Sequence, residues 1–148
     1  MRSDLSTKIA KSAEKVNCFI EQVVDSESEP KVLYRASRHI IDAGGKRLRP
    51  FLVLKSCKMV GGREEDGLPT ASALEMLHTF TLLHDDIMDQ DEKRRGVPSV
   101  HTKWSIPVAI VAGDLLFAKV YEAITKHTDT KHVKPKRILK VIQEISEA

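Results

Sequence analysis

The sequence predicts an all-α protein. Apolar residues recur at intervals of three and four along most of the chain, and prolines and paired glycines fall where helices would start and stop. No stretch alternates apolar and polar residues as a half-buried strand does. Aromatic residues make up only 5% of a chain that is 41% hydrophobic, so Leu, Ile, Val and Ala carry the apolar load, as in helical bundles. At 148 residues the chain can enclose one core, and residues 1–148 read as a single all-helical domain.

The first helix starts at Ser3 or Asp4 and runs through the stripe Leu5, Ile9, Ala13, Val16, Ile20 and Val23. The polar run from Asp25 to Glu29 ends it, and Pro30 suits the first turn of the next helix. That second helix carries Leu33, Ala36, Ile40 and Ile41 and stops at Gly44-Gly45. Pro50 opens a third, Phe51 to Val60, closed by Gly61-Gly62. A charged loop, Arg63 to Gly67, leads to Pro69 and a long fourth helix with the stripe Leu74, Leu77, His78, Thr81 and Asp85. Gln90 to Pro98 reads as a polar loop, and Ser99 to Trp104 as a short helical turn. Pro107 starts a fifth helix through Ala109, Ala112, Leu116, Val120 and Ile124. After the polar linker Thr128 to Lys134, Pro135 starts a last helix with Ile138, Val141, Ile142 and Ile145.

Composition narrows the function. A net charge of +3 is too small to argue for nucleic acid by bulk electrostatics. The N-terminus has no uninterrupted apolar segment, and no window reaches the roughly 18 apolar residues of a membrane span. Cys18 and Cys57 lack metal-ligand or redox spacing and read as small apolar residues of a reduced, cytoplasmic protein. The basic residues therefore matter as local clusters.

Two such clusters flank a dense acidic one. In Asp85-Asp86-Ile87-Met88-Asp89, three carboxylates crowd the end of a helix, where the macrodipole favours cations instead. Asp85 and Asp89 are i and i+4, on one face about 6 Å apart, which suits two oxygen ligands of Mg²⁺. Arg94-Arg95-Gly96 follows, and planar guanidinium forks bind phosphate oxygens in pairs. Upstream, Gly44-Gly45-Lys46-Arg47-Leu48-Arg49-Pro50 puts glycines beside Lys46 and Arg49, so backbone and cations can approach one phosphate group. His78 precedes Asp85 by about two helical turns and faces the same way, as a ligand-facing donor that Glu75 could orient. Together these describe a site for two polyanions, one held through metal and one held directly. His84-Asp85 has the look of a phosphohydrolase metal dyad, but the further His and Asp ligands it needs are missing. His101 and Trp104 read as structural.

These motifs, with Pro98 and His101, resemble those of the trans-type (E-type) isoprenyl diphosphate synthases, the family of geranyl-, farnesyl- and geranylgeranyl diphosphate synthases. The resemblance runs from about residue 30 to the C-terminus and implies the N-terminal half of an isoprenoid-synthase-type helical bundle. It implies that Lys46, Arg49, His78 and Arg95 hold the diphosphate of isopentenyl diphosphate. Asp85 and Asp89 would bind the Mg²⁺ that grips an allylic diphosphate, with Asp86 acting behind them and Arg94 binding that diphosphate directly. The implied reaction ionises the allylic C–O bond, adds the alkene of isopentenyl diphosphate and loses a proton. Phe80, five residues before Asp85, would be the floor that limits product length, with small Thr81 beside it. That pattern resembles archaeal-type geranylgeranyl diphosphate synthases, favouring a C20 over a C15 product, and the family resemblance suggests a homodimer.

The resemblance also sets an expectation about extent. A second aspartate-rich motif belongs to the family's C-terminal half, and no acidic pair after Asp89 repeats the first. The chain is therefore expected to be an N-terminal part of a larger synthase, binding diphosphate weakly and turning over poorly or not at all by itself. Two other readings stand beside it. A non-catalytic subunit would have no use for intact aspartates and arginines, and a class I terpene cyclase fragment would not need the Lys46/Arg49 site.

Overall fold

The computed structural model describes residues 2–147. They form α1 (Arg2–Val23), α2 (Lys31–Asp42), α3 (Leu48–Met59), α4 (Glu64–Met88), a ribbon of β1 (Lys93–Arg94) and β2 (Val97–Pro98), α5 (Val100–Lys103), α6 (Ile106–His127) and α7 (Pro135–Glu147). The all-α expectation holds, with three local differences.

α3 begins at Leu48, two residues before Pro50. Proline is tolerated there because the first-turn N–H groups have no helical partner to lose. α4 begins at Glu64, so the predicted charged loop is in fact its first turn. Glu64, Glu65 and Asp66 suit the positive end of the macrodipole. Arg63 holds Asp66 through Nε at 2.9 Å and Nη2 at 2.6 Å. Pro69 consequently lies inside the helix. The third difference is the ribbon in the predicted polar loop, where Lys93 pairs with Pro98 and Arg94 with Val97. Its two-residue turn is Arg95-Gly96, both with positive φ (53° and 82°), which is the backbone that matches strand twist in tight hairpins.

α4 is the axis of the bundle, packing on α6, α3 and α1 and more lightly on α5 and α2. Its Ala71, Ala73, Met76 and Leu83 are buried, as are Ala109, Ala112, Leu116, Val120 and Ala123 of α6. Val16 and Ile20 of α1, Ile40 of α2 and Leu54 of α3 complete the core. The predicted stripe of α1 holds from Val16 onward, whereas Leu5 is 52% exposed. Ser37 of α2 donates to the Ala112 carbonyl at 3.1 Å, closing α2 on α6. No helix among the described residues is long and apolar enough to cross a membrane.

Leu116 is wholly buried, so Leu116→Ala should cost about 3 kcal/mol, the usual range for a cavity left by leucine. Urea denaturation followed by circular dichroism would read this as a lower midpoint with unchanged slope.

Candidate substrate and metal site

The chain leaves α2 through Gly44 (φ +94°) and Gly45 (φ +152°) and enters α3 at Arg47, itself left-handed (φ 48°). That path turns the Arg47 side chain inward, where it is 3% exposed. Its Nη1 donates to Glu75 Oε1 at 2.8 Å, its Nη2 to the Ile41 carbonyl at 2.6 Å and its Nε to Asn17 Oδ1 at 2.9 Å. Lys46 and Arg49, on either side, stay exposed, and neither side chain makes a hydrogen bond or ion pair with any described residue. They line a cavity of about 270 Å³ together with His78 and Glu75 of α4 and Arg95 of the hairpin. The four residues expected to share one diphosphate are thus brought together.

Arg95 is fixed by its Nη1, which donates to the carbonyls of Ile40 (3.0 Å) and Gly44, with Nη2 3.7 Å from Glu75 Oε1. Burial pulls its pKa below the ordinary guanidinium value, and the nearby Arg47 charge adds to this. Burial also lowers the pKa of His78, helped by the Arg49 charge and opposed by Glu75. Glu75, expected to orient His78, instead spends its carboxylate on Arg47 and Arg95.

At the other end of α4 the three aspartates differ. Asp86 is 1% exposed and accepts from Arg94 Nε at 2.7 Å and from Arg94 Nη2. Its other oxygen, Oδ2, is buried without a partner. Arg94 Nη2 also reaches Asp91 at 3.0 Å, and the Asp86 hydrogen bond is the main cause that raises the Arg94 pKa. Asp85 is half-buried and Asp89 exposed, and neither carboxylate makes a hydrogen bond or ion pair with the described residues. Among those residues no three His, Cys, Asp or Glu side chains gather closely enough to hold a metal unaided. Two free carboxylates on adjacent turns nonetheless fit a hard cation that takes its remaining oxygens from water and a substrate phosphate.

His84 turns away from this face. Its Nε2 lies 3.3 Å from the Ile110 carbonyl and its ring meets Phe80 at 4.6 Å, so a His-Asp metal dyad is not formed. Phe80 is half-buried between His84 and Phe117, whose ring is 5.3 Å away. Thr81 is exposed and donates to the His78 carbonyl at 2.8 Å. His101 and Trp104 sit in supporting positions, His101 beside the Ser99 hydroxyl at 3.2 Å and Trp104 edge-on to His39.

Sequence reasoning passed over Arg47 and Asn17. The available signal was crowding: three cations in four residues on one turn cannot all face the same ligand.

Residues 30–148 match the family model described as polyprenyl synthetase. The geranylgeranyl diphosphate synthase of Methanosarcina mazei is 41% identical over 99% of this chain, which spans 44% of that protein. That of Saccharolobus solfataricus is 48% identical over 83% of this chain and 36% of its own length. The crystal structure of geranylgeranyl pyrophosphate synthetase from Pyrococcus horikoshii Ot3 superposes with a TM-score of 0.92 at 40% identity, covering 99% of this chain and 43% of that one. The chain thus spans less than half the length of these relatives, and it belongs to the polyprenyl synthetase family.

Proposed function

We propose that this chain carries the diphosphate-binding half of a Mg²⁺-dependent prenyltransferase. It would condense isopentenyl diphosphate with an allylic diphosphate, head to tail, giving geranylgeranyl diphosphate and releasing diphosphate. One observation carries the reading. The unpaired cations Lys46 and Arg49 share a cavity with His78 and Arg95, and the helix that supplies His78 also presents the unpaired carboxylates Asp85 and Asp89. His78 and Asp85 are seven residues apart, about 10 Å of helix rise.

In this reading Lys46, Arg49, His78 and Arg95 hold isopentenyl diphosphate without metal. Asp85 and Asp89 would hold Mg²⁺, which when bound offsets the charge of the leaving diphosphate and eases C–O ionisation. Arg94 is 27% exposed at its side chain while Asp86 and Asp91 grip it, so it presents a fixed cation to the same diphosphate. Asp86 then acts through Arg94 and not as a metal ligand. Phe80, wedged by His84 and Phe117, would close the bottom of the chain pocket and keep water from the allylic cation. Thr81, small and exposed, leaves room above it.

The anion cavity weighs against a terpene cyclase, which has no second diphosphate to hold. Unpaired Lys46, Arg49, Asp85 and Asp89 weigh against a non-catalytic subunit. The free thiols Cys18 and Cys57 accord with a cytoplasmic enzyme. Ile106, Ile110 and Phe117 recur at helical spacing on α6 and are 50%, 41% and 41% exposed, an apolar side that the C-terminal half of the family or a second copy would cover.

The test is a condensation assay with Mg²⁺, labelled isopentenyl diphosphate and farnesyl diphosphate, run on this chain and on one continued through the C-terminal half of the family. C20 product is expected from the longer protein, with the 148 residues alone nearly inactive for want of the second acidic motif. Asp85→Asn should lower kcat by about 10²-fold or more, the scale of a lost electrostatic contact in a transition state. No product from the longer folded protein would sink the assignment.

A second expectation concerns pH. With its folded pKa lowered, His78 binds fewer protons folded than unfolded. Its contribution to stability is therefore present above about pH 6.5 and lost as pH falls toward the folded value. A bound diphosphate favours the imidazolium and should move the titration upward. NMR of the His78 ring, with and without inorganic diphosphate, reads both effects; an unmoved titration at saturation would remove His78 from the site.

A further inference from the structure

We propose that Arg47 and Asn17 are positioning residues of the anion cavity, holding Arg95 and the Lys46–Arg49 turn in their binding arrangement and making α1 a working part of the site. The inference rests on the reading of that cavity as a diphosphate site: Arg47 lines its inner wall with its guanidinium taken up by protein acceptors, and Asn17 is not part of the lining.

The Arg47 guanidinium is tied on four sides. It donates to Asn17 Oδ1 of α1 (2.9 Å), to the Ile41 (2.6 Å) and Gly44 (3.3 Å) carbonyls at the end of α2, and to Glu75 Oε1 of α4 (2.8 Å). Two of these acceptors also serve Arg95, which donates to the Gly44 carbonyl and faces Glu75 Oε1 at 3.7 Å. One carboxylate therefore offsets two guanidiniums, leaving one positive charge in excess. Arg47 is buried, whereas the Arg95 side chain is 20% exposed, so the excess is presented at the cavity through Arg95.

The turn is moulded on this pair. A Cβ on Gly45 would lie 2.9 Å from Arg47 Nη1 and 3.1 Å from Arg95 Cζ, so a side chain there would displace one of the two bonded guanidiniums. The Gly44-Gly45 backbone thus runs directly over the two guanidiniums, and its course sets where Lys46 and Arg49 emerge. A lysine at position 47 would keep the charge but could not bond on four sides, because an ammonium is a point donor without the planar fork. The fourth side belongs to Asn17, which lies outside residues 30–148, the extent of the family match.

The experiment is calorimetric titration of this chain with inorganic diphosphate, without metal, at low and fixed ionic strength. The proteins are wild type, Asn17→Ala, Arg47→Lys, the double variant and Arg49→Ala, each with a thermal melt. Arg49→Ala should weaken binding by about tenfold or more, as for one lost charge-assisted contact. Asn17→Ala should weaken it by about threefold to tenfold and Arg47→Lys by about tenfold, the double variant being no worse than Arg47→Lys alone because one residue acts through the other. A merely structural role would lower the melting temperature and leave affinity in the folded protein unchanged, which would overturn the proposal. If Arg47→Lys does not fold, Asn17→Ala at its exposed position decides, and unchanged affinity there overturns it equally. If binding survives Arg49→Ala, or the wild type binds no diphosphate, the reading of the cavity falls first and the proposal with it. Loss in Arg49→Ala with no loss in the other variants removes only the positioning role.

Discussion

The anion end of the molecule depends on one buried carboxylate. Glu75 is 3% exposed and meets Arg47 at 2.8 Å and Arg95 at 3.7 Å. Taking such charges out of water is costly, and a pair of this kind contributes little net stability against an apolar replacement. Its value is in where it places things. Without Glu75, two guanidiniums would face each other across the Gly44 carbonyl with no negative charge between them. The turn over them would lose the geometry that leaves Lys46 and Arg49 free.

The other end of α4 repeats this device around a second buried carboxylate, with free outer charges of the opposite sign. There Asp86 is the buried charge and Arg94 its fixed partner, while Asp85 and Asp89 stay unpaired beside them. At both ends the inner charge is neutralised and held, and the outer charges are left for a ligand. The hairpin serves both: Arg94 runs to Asp86 and Arg95 to Glu75. Adjacent residues at a strand end point to opposite sides, and the left-handed turn at Arg95-Gly96 makes the divergence possible in so short a loop. Because Glu75, His78, Asp85 and Asp86 all belong to α4, the spacing between the two ends is that of a rigid helix.

This division explains what was legible in the sequence. Helix number and order were, because glycine, proline and apolar spacing leave few alternatives over such lengths. The start of α4 was not, since Glu64, Glu65 and Asp66 look like a loop until the helix dipole is counted in their favour. The ribbon was not either, because Arg-Gly is a weak hairpin signal beside Asn-Gly, and its pairing spans only two residues a side. The outer charges of the site were legible as clusters too dense to be idle. The inner ones were not: Arg47 looks like any other cation of its motif, and Glu75 looked free to serve His78. Which cation turns inward is decided by the positive φ at residue 47 and by Asn17, thirty residues away.

Two opposite excesses of charge therefore flank one helix, beside His78 and at Asp85, residues about 10 Å apart in helix rise. At the anion end the surplus is positive, so a bare diphosphate meets complementary charge. At the other end Asp85 and Asp89 stand at a helix C-terminus, against the macrodipole, and Arg94 is already committed to Asp86 and Asp91. On the proposed reading a bare diphosphate there would meet two carboxylates and one shared guanidinium, and would need a divalent cation to accompany it. On the proposed reading, then, the chain distinguishes its two substrates electrostatically. Both carry the same head group, but one end accepts it directly and the other only through metal. The neutralised inner pairs, Arg47–Glu75 and Arg94–Asp86, keep those two preferences from collapsing into a single ion-paired network.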